Sequence, residues 1–249
     1  MQTIAVFWMF LWACSSKELP SFIEKCEYTA GLDLGECIKD RINAMMPKLE
    51  RGIPELNIPP IDPLHVGKIE VNTGSGTNVA FEAVIQNMEL SGYKYLSVEE
   101  FQLSLENLNS LIHLRIPNLY IVGSYVFKGK VLLFDINAEG TFSANITNVD
   151  TITKFRFGNV EKDGKRYLKL KAEDLEVVST NFDTAVFHFE KIFEQQELND
   201  QINKAINENI QDLSKEVSPI LHEAGYLVVM EFVNPVFNDY SIDELLIMK

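Results

Sequence analysis

A change of hydrophobic period along the chain constrains the fold more than any other feature of the sequence. Between residue 65 and about residue 189, apolar and polar residues alternate, as where Ile112, Leu114 and Ile116 are separated by polar residues. A period of two gives a strand one apolar and one polar face, which is typical of antiparallel sheets with one side in water. The sequence therefore predicts a long antiparallel sheet in this region.

Two stretches refine that prediction. Residues 162–165 read KDGK, and an Asp-Gly pair favours a two-residue hairpin turn, because both central residues then need a positive φ. Residues 119–134 are apolar at both odd and even positions, which predicts central strands covered on both faces.

After residue 195 the period becomes helical. The apolar positions follow steps of three and four, above a polar face of Asn, Asp, Lys and Glu. They are Leu198, Ile202, Ala205, Ile206, Ile210 or Leu213, and Val217. The pattern predicts one helix of about 25 residues and about 37 Å. We expect Pro219 to bend or restart it before a second apolar run at 226–237.

A long helix beside a long sheet permits two arrangements within one domain. The apolar face of the sheet could close on the helix as a dry core. Alternatively, a strongly curved sheet could wrap the helix and leave an apolar tunnel. Periodicity alone does not separate the two.

A first helix and a proline-rich segment precede the sheet. Asp33 and Glu36 have the spacing of a capping box, and Pro47 is expected to kink or end the helix that follows. Residues 52–64 read GIPELNIPPIDPL, with four prolines among apolar residues. We expect an extended, stiff connector whose apolar side chains pack against the fold.

The N-terminus predicts secretion. Residues 4–14 are apolar and too short to span a bilayer, and small residues follow, so we interpret residues 1–16 as a signal peptide and residues 17–249 as one domain. A helix lying on the membrane is the alternative. Cys26 and Cys37 then remain in an oxidising compartment and predict a structural disulfide worth about 3 kcal/mol. Asn145 begins the sequon Asn-Ile-Thr and is a candidate glycosylation site, although sequons within strands are often skipped.

Charge and motif content argue against several classes of function. The chain has 36 acidic and 22 basic residues and a formal charge of −14, which disfavours nucleic acid and anionic lipid as partners. Nucleophile-elbow, dinucleotide and phosphate-loop motifs are missing from the sequence, and its histidines lack metal-ligand spacing. We therefore expect no enzyme, no cofactor and no metal site. His113 and His188 are interpreted as structural, or as one hydrogen-bonding partner for a polar ligand head.

One basic cluster stands out in this acidic chain. Its residues are Lys162, Lys165, Arg166, Lys169 and Lys171. We interpret it as a solvated hairpin face, and a docking patch for an anionic partner is the alternative.

The order of these features resembles the secreted insect takeout and juvenile-hormone-binding protein family. The similar segments are the pair Cys26 and Cys37, MPKL at 46–49, GIPEL at 52–56, IPPIDPL at 58–64, GTFSANIT at 140–147, FHF at 187–189, LNDQIN at 198–203 and NPVF at 234–237. Together they span about residue 26 to residue 246. A single disulfide resembles takeout-like members, and Ile210 stands where the family often has Trp.

The resemblance implies an α+β fold of the tubular lipid-binding type, with a strongly curved antiparallel sheet around a long C-terminal helix and an internal apolar tunnel. It implies a monomeric carrier of a small hydrophobic ligand such as a fatty acid, isoprenoid or terpenoid, and no integral membrane span. The candidate lining residues are Phe142, Ile146, Phe155, Ile202, Ile206 and Leu213. A secreted signalling protein with a vestigial cavity is the alternative, and a lipid esterase or isomerase a distant third.

Overall fold

The large sheet forms where the period-two pattern predicts it. The structure is a computed structural model that describes residues 18–29, 34–72, 79–216 and 218–249. The predicted signal peptide and the Asp33 half of the predicted capping box lie outside these residues. The strands are β1 (Cys26–Tyr28), β2 (Leu64–Val66), β3 (Ile69–Asn72), β4 (Val79–Ser91), β5 (Ser97–Leu103), β6 (Asn109–Val131), β7 (Phe134–Lys162), β8 (Lys165–Asn181), β9 (Thr184–Phe189) and β10 (Leu246–Met248).

Strands β6 and β7 form the spine of the eight-stranded sheet. They pair antiparallel along their length, and each is long enough to take two partners on its other edge. Strand β6 pairs with β5 and then β4, and β7 pairs with β9 and then β8. The expectation that 119–134 is covered on both sides is wrong. The outer face of β6 meets solvent at Tyr120 and Val126, which are 48% and 45% exposed.

The hairpin predicted at 162–165 is confirmed. Lys162 pairs with Lys165 across β7 and β8, and the two central residues are left-handed, with φ of 53° at Asp163 and 73° at Gly164. These angles are the type I′ geometry that matches the twist of the flanking strands.

The helices divide the C-terminal region more finely than the sequence predicts. They are α1 (Gly35–Leu49), α2 (Gln196–Glu208), α3 (Ile210–Glu216), α4 (Ser218–Phe232), α5 (Asn234–Asp239) and α6 (Ile242–Leu245). The single helix expected from Leu198 to Val217 is interrupted at Asn209, and Val217 is not described. The Asn209 side chain donates to Ala205 O at 2.8 Å, and its backbone N–H bonds instead to Ile206 O at 3.1 Å. A side chain that competes for a helix carbonyl breaks the regular ladder.

The proline-rich segment is packed as expected but is not extended. A short 3-10 helix (Pro54–Leu56) folds the chain back, so that Ile53 and Ile58 exchange two backbone hydrogen bonds of 2.8 and 3.1 Å. Its apolar residues are all buried: Ile53, Leu56, Ile58, Ile61 and Leu64. Gly52, with φ of 79°, permits the closure, because a Cβ there would lie 2.8 Å from Ile58 O.

The first and last described strands lie side by side. Strand β1 pairs in parallel with β10, and the predicted disulfide between Cys26 and Cys37 is confirmed, joining β1 to α1. The apolar residues form a main cluster between the sheet and α2–α4, a second cluster around Phe155, Phe157 and Leu170, and a third around the proline-rich segment.

Candidate functional site

Helix α4 lies between the two larger apolar clusters. Ala224, Leu227 and Val228 pack against the main cluster, whereas Val229 packs against the second. Every residue from 223 to 230 nevertheless keeps an intermediate accessible surface, and none is fully buried. A Cβ placed on Gly225 would have Val177 Cγ2, at 3.9 Å, as its only described neighbour within 4 Å outside the helix. Close-packed interiors normally surround an apolar helix on its inner face.

The structure brings five of the six predicted lining residues to one cluster. Ile202, Ile206 and Leu213 are buried members of the main cluster, and Phe142 and Ile146 pack against it from β7. Phe155 belongs instead to the second cluster, where its ring meets Phe157 edge-on with centroids 5.2 Å apart. The six residues therefore lie in two regions of the interior, with α4 contacting both.

Two tyrosines are held near the main cluster. Tyr125 is buried, and its hydroxyl donates to Glu190 O at 2.7 Å. Burial, together with the Glu190 carboxylate, raises the pKa of Tyr125 to about 12. Tyr93 packs against the same cluster, and burial raises its pKa to about 12 as well.

The asparagines of α2 form a row that the sequence pattern did not reveal as functional. The side-chain amide of Asn207 accepts a hydrogen bond from Phe187 N and donates one to Phe187 O. The amide of Asn203 does the same with Phe189, and all four distances are 2.7–2.8 Å. Asn199 accepts from Ile192 N at 2.9 Å. The three lie four residues apart on one helix face, a spacing that could have suggested a common partner. They cover the free edge of β9 and fix α2 against the sheet.

The two histidines singled out in the sequence, His113 and His188, do not face the apolar interior. His113 lies on the outer face of β6, where its Nε2 is 2.9 Å from Asp150 Oδ2, and Arg115 lies 3.4 Å from the same oxygen. The hydrogen bond from His113 is the main cause that lowers the pKa of Asp150, and Arg115 adds to it. His188 is exposed on β9.

The basic hairpin is partly neutralised within the chain. Lys165 forms an ion pair of 2.7 Å with Glu244 of α6, and Lys171 lies 3.5 Å from Glu173. Asn145, the candidate glycosylation site, is exposed on the outer face of β7 between Tyr120 of β6 and Val186 of β9.

Two open clefts on the described surface are lined by polar and apolar residues in similar measure. The larger, about 750 Å³, lies at the start of β6 beside Ser110, and the smaller, about 670 Å³, lies between β2 and β4. The larger cleft mixes Lys154 and Arg156 with Glu173, Asp174 and Glu176. Such mixed charge matches neither an anionic nor a cationic ligand, and Phe155 is the one predicted lining residue at either cleft.

Residues 18–29, 34–72, 79–216 and 218–249 contain no group of three potential metal-binding side chains. Within those ranges, no helix has the length and apolar character needed to cross a bilayer.

The chain is similar to known proteins in both sequence and fold. The family model described as haemolymph juvenile hormone binding protein (JHBP) matches residues 4–247. The chain belongs to this family. Among solved structures, Takeout 1 of Epiphyas postvittana is 17% identical with a TM-score of 0.73, and the match covers 90% of this chain and 100% of that one. The match confirms the takeout-like fold with its large curved sheet.

Other comparisons are weaker. A lipopolysaccharide binding protein matches with a TM-score of 0.35 and 9% identity, over 81% of this chain and 39% of that one. No curated protein matches the chain. The resemblance to takeout and juvenile-hormone-binding proteins that the sequence motifs predicted is confirmed, and this family is named for binding rather than for catalysis.

Proposed function

We propose that this protein is a secreted carrier that holds a small hydrophobic ligand in an internal apolar tunnel beside α4. A fatty acid, an isoprenoid or a terpenoid such as juvenile hormone would fit. The observation that carries the proposal is the partial accessibility of every residue from 223 to 230 in an apolar helix that lies between two core clusters. The space next to Gly225 supports it.

The chemistry of such a carrier is the burial of apolar surface. A ligand of about fifteen carbons gains about 0.8 kcal/mol for each methylene removed from water, or about 12 kcal/mol in total. Association and ordering subtract several kcal/mol, which leaves micromolar to nanomolar affinity. The lining would come from Phe142, Ile146, Ile202, Ile206 and Leu213. Phe155 would contribute from the second apolar cluster, which α4 also contacts. Catalytic groups are not needed for this function.

Residue 225 offers a direct test. Gly225→Phe should place an aromatic ring in the tunnel and lower the affinity for the fluorescent apolar probe N-phenyl-1-naphthylamine at least tenfold. Gly225→Ala is the matched control, because a methyl group leaves most of the space free and replaces a helix glycine. It should keep the probe affinity and raise the free energy of unfolding by about 1 kcal/mol. Equal probe affinity in both variants, with both folded, would contradict a tunnel beside α4.

The ligand itself can be sought in protein secreted from insect cells. Denaturation, solvent extraction and mass spectrometry should find a co-purifying hydrophobic molecule. The intact mass of the same sample would test removal of residues 1–16 and a glycan on Asn145. A protein that carries no lipid and also fails to bind N-phenyl-1-naphthylamine would contradict the carrier function.

A further inference from the structure

The hairpin of β6 and β7 ends in two leucines. Val131 pairs with Phe134, so Leu132 and Leu133 are the two residues of the turn. Leu132 has a φ of 55°, a left-handed conformation that costs free energy for a residue with a Cβ. Leu133 is 89% exposed, more than any other large apolar residue that the structure describes. Neither leucine is explained by the stability of the turn.

The other hairpin of β7 shows the usual chemistry of such a turn. Asp163 and Gly164 connect β7 to β8, also as a two-residue turn, and both take a positive φ. Asp and Gly tolerate that conformation, and neither exposes apolar surface. The leucine pair at the opposite end of β7 therefore departs from a local rule that the same strand obeys elsewhere. Departures of this kind concentrate at functional sites.

The residues that flank the exposed leucine lead into the interior. Val131, Leu132 and Phe134 are half-buried and pack against the main apolar cluster. The Phe134 ring lies 6.3 Å, between centroids, from that of Phe193, which packs against the same cluster. Apolar surface thus extends from Leu133 at the tip to the cluster that faces α4.

The size of the tip indicates what kind of surface it can contact. A stable protein–protein interface buries about 800 Å² on each partner, and a two-residue turn with one exposed leucine supplies a small part of that. A lipid bilayer needs no complementary partner surface, because acyl chains close around an inserted side chain. The tip is therefore better suited to a membrane than to a protein.

The charges beside the tip indicate the type of lipid. Lys128 and Lys130 of β6 are exposed, and Lys130 pairs across the strands with the exposed Asp135 of β7. Lys130 lies three residues, or about 10 Å of extended chain, from Leu133, which matches the depth of the headgroup layer. Charges of both signs fit the phosphate and ammonium of a zwitterionic headgroup. The formal charge of −14 disfavours an anionic bilayer.

We propose that the tip of the β6–β7 hairpin docks on a zwitterionic phospholipid bilayer by inserting Leu133. This goes beyond the proposed carrier function, because it names the surface at which a hydrophobic ligand would enter or leave the protein. Transfer of one leucine side chain out of water strengthens binding about tenfold to a hundredfold. The contact is therefore weak and reversible, as a carrier that leaves the membrane again requires.

Tryptophan fluorescence tests the insertion directly. The chain has two tryptophans, Trp8 and Trp12, and their replacement by phenylalanine in the full chain gives a background without this fluorophore. In that background, the emission of Leu133→Trp should shift to the blue with phosphatidylcholine vesicles, and lipid brominated at carbons 6 and 7 should quench it. Val160→Trp is the matched control, because Val160 is 42% exposed near the opposite end of β7. Its emission should show neither change.

Co-sedimentation with sucrose-loaded phosphatidylcholine vesicles measures the contribution of the native side chain. Leu133→Ser should weaken binding about tenfold or more, whereas Val160→Ser should bind as the wild type does. Circular dichroism should show both variants folded, because each removes an exposed side chain.

Each outcome supports or overturns the docking. Wild-type protein that does not sediment with the vesicles, or a Leu133→Trp emission that they leave unchanged, would overturn it and leave a pocket in a partner protein as the occupant. Equal quenching of Leu133→Trp and Val160→Trp would show adsorption without a preferred tip and would also overturn it. Failure of the carrier function is seen separately, as absent binding of N-phenyl-1-naphthylamine in solution without vesicles.

Discussion

At the scale of single residues, the asparagines of α2 make the hydrogen bonds that an additional strand would make to the free edge of β9. Strand β9 pairs with β7 on one edge, and its other edge would leave backbone groups of Phe187 and Phe189 unpaired. Asn203 and Asn207 supply a donor and an acceptor to each. Asn203 is 7% exposed, so water cannot replace these bonds easily.

Asn203→Ala should therefore lower the free energy of unfolding by about 2 kcal/mol, measured by urea denaturation. The change leaves the partly buried N–H of Phe189 without its acceptor and removes one of the two side-chain donors to Phe189 O, the other being Asn199 at 3.1 Å. Lys204→Ala, at the next and exposed position of α2, should change it by less than about 0.5 kcal/mol. Equal losses in the two variants would show that the asparagine row does not hold the sheet edge.

At the scale of elements, the hairpin of β7 and β8 allows a clean measurement of turn energetics. Gly164 has a φ of 73°, and a Cβ there meets no atom within 4 Å, so Gly164→Ala tests backbone strain alone. We expect a loss of about 1 kcal/mol. Gly158→Ala, in β7 of the same hairpin, lacks a left-handed φ and places its Cβ 3.5 Å from Lys169 O. Gly158→Ala should be neutral or slightly stabilising by thermal denaturation. A larger loss of stability in Gly158→Ala than in Gly164→Ala would contradict the type I′ assignment.

The same elements show what the sequence can and cannot predict. Alternation and the Asp-Gly pair are local signals, so the sheet and its β7–β8 turn followed from them. The break in the helix at Asn209 could not be predicted in this way, because the apolar pattern continues through it. It depends on the hydrogen bond from the Asn209 side chain to Ala205 O. The asparagine row was also missed. Its role comes from a group distant along the chain, namely the edge of β9.

At the scale of the whole molecule, one ion pair joins the C-terminus to the sheet. Glu244 of α6 accepts from Lys165 of β8 at 2.7 Å and from the backbone and hydroxyl of the buried Ser241, each at 2.8 Å. Lys165 is the largest cause that lowers the pKa of Glu244 to about 2, and the bonds from Ser241 follow. Helix α6 leads directly into β10, which pairs with β1 beside the Cys26–Cys37 disulfide.

Because the pKa of Glu244 is lowered in the folded protein, the free energy of unfolding depends on pH in the acidic range. Because the carboxyl of Glu244 titrates lower in the folded chain than in the unfolded chain, its contribution is complete above about pH 4.5 and is lost as the pH falls towards 2. Glu244→Gln should lower the free energy of unfolding by about 1–2 kcal/mol at pH 7, after allowance for solvent screening. The difference from wild type should vanish near pH 2. Asp243→Asn, at the exposed neighbouring position, should follow the wild-type curve in urea titrations from pH 7 to pH 2. A Glu244→Gln deficit that persists undiminished at pH 2 would show that the carboxylate charge does not hold α6 to the sheet.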